Sequence, residues 1–179
     1  MKFQDIPQYS HFSNYSTPWR FVANWLQEMS SVGPDFLQVD SDFQRPHVWT
    51  ELQQRRYVEY VLRGGVAART IYWNCPNWQS LRNSGPMTLV DGKQRLEAVQ
   101  RFLQNQLTVF EGYRLTDFED RVPLDCSFLM AVNDLPDRAS TLQWYLDLNS
   151  GGTVHSDEEL IRVRTLLDEA LIKKTEVRS

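Results

Sequence analysis

The stretch Met87–Leu103, MTLVDGKQRLEAVQRFL, constrains the fold of this chain more than any other. A short apolar run ends at Val90, Asp91-Gly92 interrupts it, and a helical apolar period starts at Leu96. Leu96, Val99, Phe102 and Leu103 recur at three- and four-residue steps and share one face. Strand, tight turn and helix must therefore follow one another with no spare residues. The turn carries Asp91, Gly92, Lys93, Gln94 and Arg95. A helix start presents unpaired backbone N–H groups and the positive end of the helix dipole, which favour an anion. Lys93 and Arg95 would strengthen such a site for phosphate. The same residues also allow a plainer role, because Asp-Gly is an ordinary turn and Asp is a good helix N-cap.

Composition narrows the alternatives. A chain of 179 residues that is 41% hydrophobic and 23% charged suits one globular domain with a real core. No apolar run approaches a membrane span, and MKFQDIPQYS has no signal-peptide core, so a soluble, cytoplasmic protein without membrane partners is expected. The net charge of −4 argues against a surface coated in basic charge for non-specific duplex binding, though not against a local basic pocket. Cys75 and Cys126 are unclustered, which disfavours a disulfide framework or a cysteine zinc site. His11, His47 and His155 lie far apart and form no metal-binding or HNH-like pattern.

In chain order, residues 1–16 read as an irregular aromatic arm, and Thr17-Pro18 as the start of a helix bearing Trp19, Val22, Ala23, Leu26 and Met29. Phe36–Phe43 reads as extended chain, and Pro46 keeps Arg45 extended. Thr50 and Gln53 fit a capping box that opens a helix with Val58, Val61 and Leu62 inward. Arg55, Arg56 and Glu59 read as its solvated face, and Gly64-Gly65 as its stop. Thr70–Asn74 and Phe128–Val132 are strand candidates, and Leu107–Leu115 is a hairpin candidate around Glu111-Gly112. Ser140–Leu148 reads as a helix with Leu142, Tyr145 and Leu146 inward, running into Asn149-Ser150-Gly151-Gly152. Ser156 and Glu159 fit a second capping box, for a helix that frays into a charged tail. The expected fold class is α+β, a small mixed sheet surrounded by helices. The expected division is an arm and helix at 1–35 packed on the domain, a domain at 36–172 and a tail at 173–179.

Three stretches, DFQRPHVW (Asp42–Trp49), LVDGKQRL (Leu89–Leu96) and YLDLNSGGTVHSDEEL (Tyr145–Leu160), occur in this order. Together they resemble the N-terminal domain of GmrSD-type restriction proteins, which attack modified phage DNA and belong to the ParB/sulfiredoxin-like superfamily. The resemblance covers Phe36 to Leu171 and implies a ParB-like fold with a nucleotide bound between the first strand and the strand-turn-helix. It implies NTP binding and hydrolysis through a motif matched here by Asp91, Gly92, Gln94 and Arg95. Lys93 stands where the family usually has glutamine, and Asp147 where an arginine is common. Gln44 and Arg45 match the family's first motif, and Asn149 with Gly151-Gly152 matches the third.

Carried over in this way, Asp91, Gln94 and Arg95 are the candidate catalytic residues. Gln44, Arg45, Gly92, Lys93 and Asn149 are the candidate nucleotide-binding residues, and Asp91 is the candidate ligand for a Mg²⁺ that accompanies the NTP. Gly92 would let phosphate approach the backbone, and Arg95 would hold two phosphate oxygens. Arg45 would neutralise developing charge, while Asp91 and Gln94 would orient water. Restriction-active relatives carry an HNH nuclease domain after this one, and this chain ends before such a domain. The expected partners are therefore NTP, DNA and a separately encoded HNH-type nuclease. Two other functions stay open at this point, a non-catalytic nucleotide sensor or interaction module and a small-molecule kinase or nuclease on the same fold. Oligomeric state is not set by the sequence.

Overall fold

A computed structural model describes residues 9, 13–44, 49–80, 84–120, 122, 124–149 and 157–176. The fold is α+β, with a five-stranded mixed sheet and helices on both faces. The strands are β1 (Ser13–Pro18), β2 (Leu37–Gln38), β3 (Thr70–Asn74), β4 (Met87–Asp91) and β5 (Ser127–Asn133), in the spatial order β1-β5-β3-β4-β2. β1 runs antiparallel to β5, β5 parallel to β3, β3 antiparallel to β4, and β4 parallel to β2. The helices are α1 (Val22–Ser31), α2 (Glu51–Leu62), α3 (Lys93–Leu103), α4 (Arg138–Asn149) and α5 (Asp157–Glu176).

Local signals set several of these elements. Thr50 and Gln53 close the capping box of α2, with the Gln53 N–H donating to Thr50 Oγ1 and the Thr50 N–H donating to Gln53 Oε1. β3 falls on Thr70–Asn74, where Ile71 and Trp73 turn to one face and Tyr72 to the other. Leu142, Tyr145 and Leu146 are buried on α4, and Thr141 and Trp144 join them.

Other expectations are corrected. Residues 13–16 belong to an ordered edge strand rather than an irregular arm, since Ser13–Pro18 pairs along its whole length with Ser127–Val132. Thr17 and Pro18 end that strand, and Pro18 takes the N-cap position without a side-chain cap, where Thr17 was expected to cap and Pro18 to be the first helical residue. A 3-10 turn at Trp19–Phe21 leads into α1 and buries Trp19 and Val22 completely. The extended stretch at 36–43 shrinks to the two residues of β2. The hairpin around Glu111-Gly112 reduces to one bridge between Val109 and Tyr113, closed over Phe110, Glu111 and Gly112, all three at positive φ. Arg55 and Glu59 are not simply solvated. Arg55 Nε donates to Thr108 O at 3.0 Å, and Glu59 Oε1 accepts from Phe110 N–H at 2.7 Å, so both tie down the loop after α3. The second capping box falls on Ser156 and the Glu159 side chain, outside the described residues. α5 continues into the expected tail as far as Glu176.

Two apolar clusters flank the sheet. The larger gathers Trp19, Trp73, Leu89, Leu96, Phe102 and Met130, with Val58 and Val61, between α1, α2, α3 and one sheet face. The smaller packs Phe43, Val90, Leu142, Tyr145, Leu146 and Val163 on the opposite face, under α4 and α5. Between β3 and β4 the register moves from Tyr72↔Asp91 to Trp73↔Leu89, which leaves Val90 as the extra residue of a β-bulge. Bulges re-aim side chains at strand ends. This one stands one residue before the turn.

Candidate functional site

The site is built where β4 passes into α3. Asp91 closes the strand, Gly92 is the helix N-cap at φ 109°, and Lys93 is the first helical residue. A Cβ on Gly92 would come within 2.7 Å of Ile71 Cδ1 and 3.3 Å of Ile71 Cα, in a conformation L side chains rarely adopt. Glycine is thus required by φ and by the close approach of β3. No side chain caps the helix and no acidic residue lies in its first turn. Asp91 therefore does not act as the N-cap, although its residue type allowed that role. The α3 start keeps its positive end and carries Lys93 and Arg95.

Those two cations already have partners. An Arg95 Nη2 donates to Asp91 Oδ2 across one helical turn, and Lys93 Nζ donates to Asp40 Oδ1. The Asp91 and Asp40 carboxylates are 38% and 81% exposed, whereas the side chains of Arg95 and Lys93 are only 15% and 20% exposed. A surface carboxylate exchanges its partner at little net cost, so both pairs can yield to a more strongly charged anion. Arg95 also lies within electrostatic reach of Tyr57. Burial pushes the Tyr57 hydroxyl well above its usual range, against the positive charges of Arg95 and Arg69, and it donates to Ala68 O at 2.9 Å.

The two glutamines serve as ties. Gln44 is buried, and its Nε2 donates to the backbone carbonyl of Leu89 in β4. Gln44 Oε1 is buried without a hydrogen-bond partner among the described residues. Gln94 Oε1 accepts from the Trp49 N–H at 2.9 Å. The two residues that bracket 45–48 are therefore both fastened to the β4–α3 unit. Arg45 itself, together with Gly151 and Gly152, lies outside the described residues. From the other side, Arg162 on α5 donates to Phe43 O at 3.2 Å and Gln44 O at 3.1 Å, and Phe43 meets the Tyr145 ring edge-on at 5.3 Å. Asn149 ends α4 one turn beyond Tyr145, and its Nδ2 donates back to Tyr145 O at 2.7 Å.

Asp91, Gly92, Lys93, Gln94, Arg95 and Gln44 are thus brought together at the carboxyl ends of the parallel strands β2 and β4. Asn149 belongs to the helix that packs on the same cluster as Phe43. Sequence reasoning missed Asp40, Trp49 and Arg162, each of which contacts the site from 40 or more positions away. Asp147, where the resembled family has arginine, accepts from Tyr9 Oη and from Gln143 Nε2.

Among the described residues, no group of three or more His, Cys, Asp or Glu side chains could hold a metal, and all three histidines lie outside them. A nucleotide-borne Mg²⁺ needs only one or two protein carboxylates, with phosphate oxygens and water completing the shell. Asp91, with one oxygen on Arg95 and a half-exposed carboxylate, fits that limited demand and not a resident ion. No helix among the described residues is long and apolar enough to cross a membrane. No protein-family model matches the chain, and no curated protein or solved structure is significantly similar to it.

Proposed function

We propose that this chain binds a nucleoside triphosphate by its phosphates at the start of α3 and hydrolyses it, in the service of DNA restriction, phage–host conflict or DNA processing. The observation that carries the phosphate site is the uncapped helix start at Gly92 with Lys93 and Arg95 in its first turn. Helix starts of this kind bind phosphate through backbone N–H groups and the dipole, and a guanidinium adds paired donors. The setting and the nucleotide class rest on the resemblance of the three motifs to GmrSD-type domains.

In this scheme the phosphates take Lys93 from Asp40 and Arg95 from Asp91. The freed Asp91 carboxylate then orients a water and accepts its proton as the water oxygen bonds to the γ-phosphorus. The bond from that phosphorus to the bridging oxygen breaks, giving a nucleoside diphosphate and inorganic phosphate. When bound, Mg²⁺ would sit beside Asp91 and supply positive charge against the phosphates. Arg45 follows directly on Gln44 in sequence, and the resemblance implies that its charge would act against the phosphates.

A second function, nucleotide sensing without turnover, is favoured by one observation. Gln94 Oε1, which would position the attacking water, is engaged by Trp49. Binding and phosphate release from a panel of NTPs with Mg²⁺ separate the two. Arg95→Ala should weaken binding by about 10–100-fold, the equivalent of one lost charge-assisted contact. Asp91→Ala should abolish release while leaving binding equal or tighter. Saturable binding without release would establish the sensor, and no binding of any NTP would sink both.

A further inference from the structure

The two faces of α5 are put to different use. The inner face packs on its own domain, with Val163 buried and Leu160, Leu166, Leu167 and Ala170 laid against the Phe43 and Tyr145 cluster. Lys174 carries that contact into the last turn, where its Nζ donates to Asp137 Oδ2 at 2.6 Å. The opposite face carries Ile161, Thr165, Asp168 and Ile172, all exposed. They recur at steps of four, three and four residues, the spacing of a helix-pairing seam. A helix already docked by one face needs no apolar residues on the other. Ile161 and Ile172 are nevertheless 58% and 60% exposed, and Leu171, on the flank of the seam, is 46% exposed.

This seam matches a second copy of itself in one direction only. Parallel pairing would set Asp168 on Asp168, two like charges facing each other. Antiparallel pairing, about a two-fold axis at the level of Leu166 and Leu167, sets Ile161 of each copy against Ile172 of the other. Arg164 and Asp168 are both exposed and lie toward the same flank, so the same pairing brings each Arg164 beside the Asp168 of the other copy. Leu171 then runs along the methylene stem of that arginine. Every one of these contacts occurs twice by symmetry. We infer that the outer face of α5 is an interaction surface for a second copy of this chain, paired antiparallel along residues 161–172. The seam covers about 16 Å of helix. It buries less than the ~1,200 Å² of a standard interface, so the association is weak, with a dissociation constant on the order of 10–100 μM.

Sedimentation velocity of the full chain, from about 1 μM to about 1 mM, brackets such a constant. The wild type should pass from monomer to dimer across that range. Arg164→Glu sets a carboxylate against Asp168, and Asp168→Arg sets a guanidinium against Arg164. Each alone should weaken association by about tenfold or more. The two variants mixed in equal amounts should dimerise at least as well as the wild type, because each supplies the charge that the other lacks. Both positions are exposed, and circular dichroism checks that each variant keeps its helices. If either loses them, Ile161→Lys, which sets a charge against Ile172, takes its place and should leave the chain monomeric. A wild type that stays monomeric over the whole range overturns the inference. So does a dimer that none of these substitutions weakens. Single charge variants that remain monomeric when mixed overturn the antiparallel pairing.

Discussion

The two faces of the sheet are built for different ends. The face under α1, α2 and α3 is closed by large apolar side chains, Trp19, Trp73, Phe102 and Phe128 among them, each fully buried. The face under α4 and α5 is smaller and mixed. Phe43 and Tyr145 share it with Tyr72, and its border runs directly into Gln44 and Asp91 through Phe43 and Val90. β4 serves both, with Met87 and Leu89 turned to the first cluster and Val90 to the second. One strand thus anchors a turn in a dry core and presents it beside a polar one. Rigidity and chemistry are separated by a single peptide's change of direction.

Four substitutions would break or sharpen that contrast. Phe102→Ala leaves a cavity in the larger cluster and should cost about 3–5 kcal/mol in a denaturant melt. The folded fraction should still bind nucleotide as the wild type does. Gly92→Ala should cost about 2–4 kcal/mol, from positive φ and contact with Ile71 together, and should move the turn as well. A variant that lost binding but no stability would show that β3 can yield there. Arg162→Ala removes two hydrogen bonds to the Phe43 and Gln44 carbonyls and should cost about 1 kcal/mol, with a fall in nucleotide affinity that Phe102→Ala does not share.

The smallest expected effect is a pH dependence. Burial raises the Asp137 pKa, but hydrogen bonds from Lys174 and Ser140 outweigh it and hold the carboxyl below its ordinary 3.8. A carboxyl depressed in the folded state contributes stability above 3.8 and loses it as pH falls through the folded value. Asp137→Asn should therefore be less stable than wild type at neutral pH, and the gap should narrow below pH 3.8. A gap that stayed constant would place the role of Asp137 in its geometry and not in its charge.

Much of the architecture was legible where the signal was local. The capping box at Thr50, the β3 strand at Thr70–Asn74 and the inward stripe of α4 are each set by residues within one element. The candidate turn was legible for the same reason, since Asp91 to Arg95 are contiguous. What escaped depends on distant partners. Nothing near Gln94 announces Trp49, nothing near Lys93 announces Asp40, and Arg55 and Glu59 look solvated until the loop at 108–110 reaches them. β1 escaped because its pairing signal resides in β5. Leu129 shows the converse, an apolar residue in an apolar strand that is nevertheless 41% exposed.

That edge strand also has a consequence for how the chain is made. β1 pairs with β5 alone, and β5 in turn is what joins it to β3. Ser13–Pro18 thus leaves the ribosome more than a hundred residues before its partner. Until Asn133 has emerged, Trp19 and Val22 lack the strand that covers their end of the core. Long-range pairing of this kind slows folding and leaves apolar surface open to other chains in the interval. Among the five strands of the sheet, β1 is synthesised before the others yet is one of the last that can be placed, and its aromatic neighbours stay open to a chaperone in the interval.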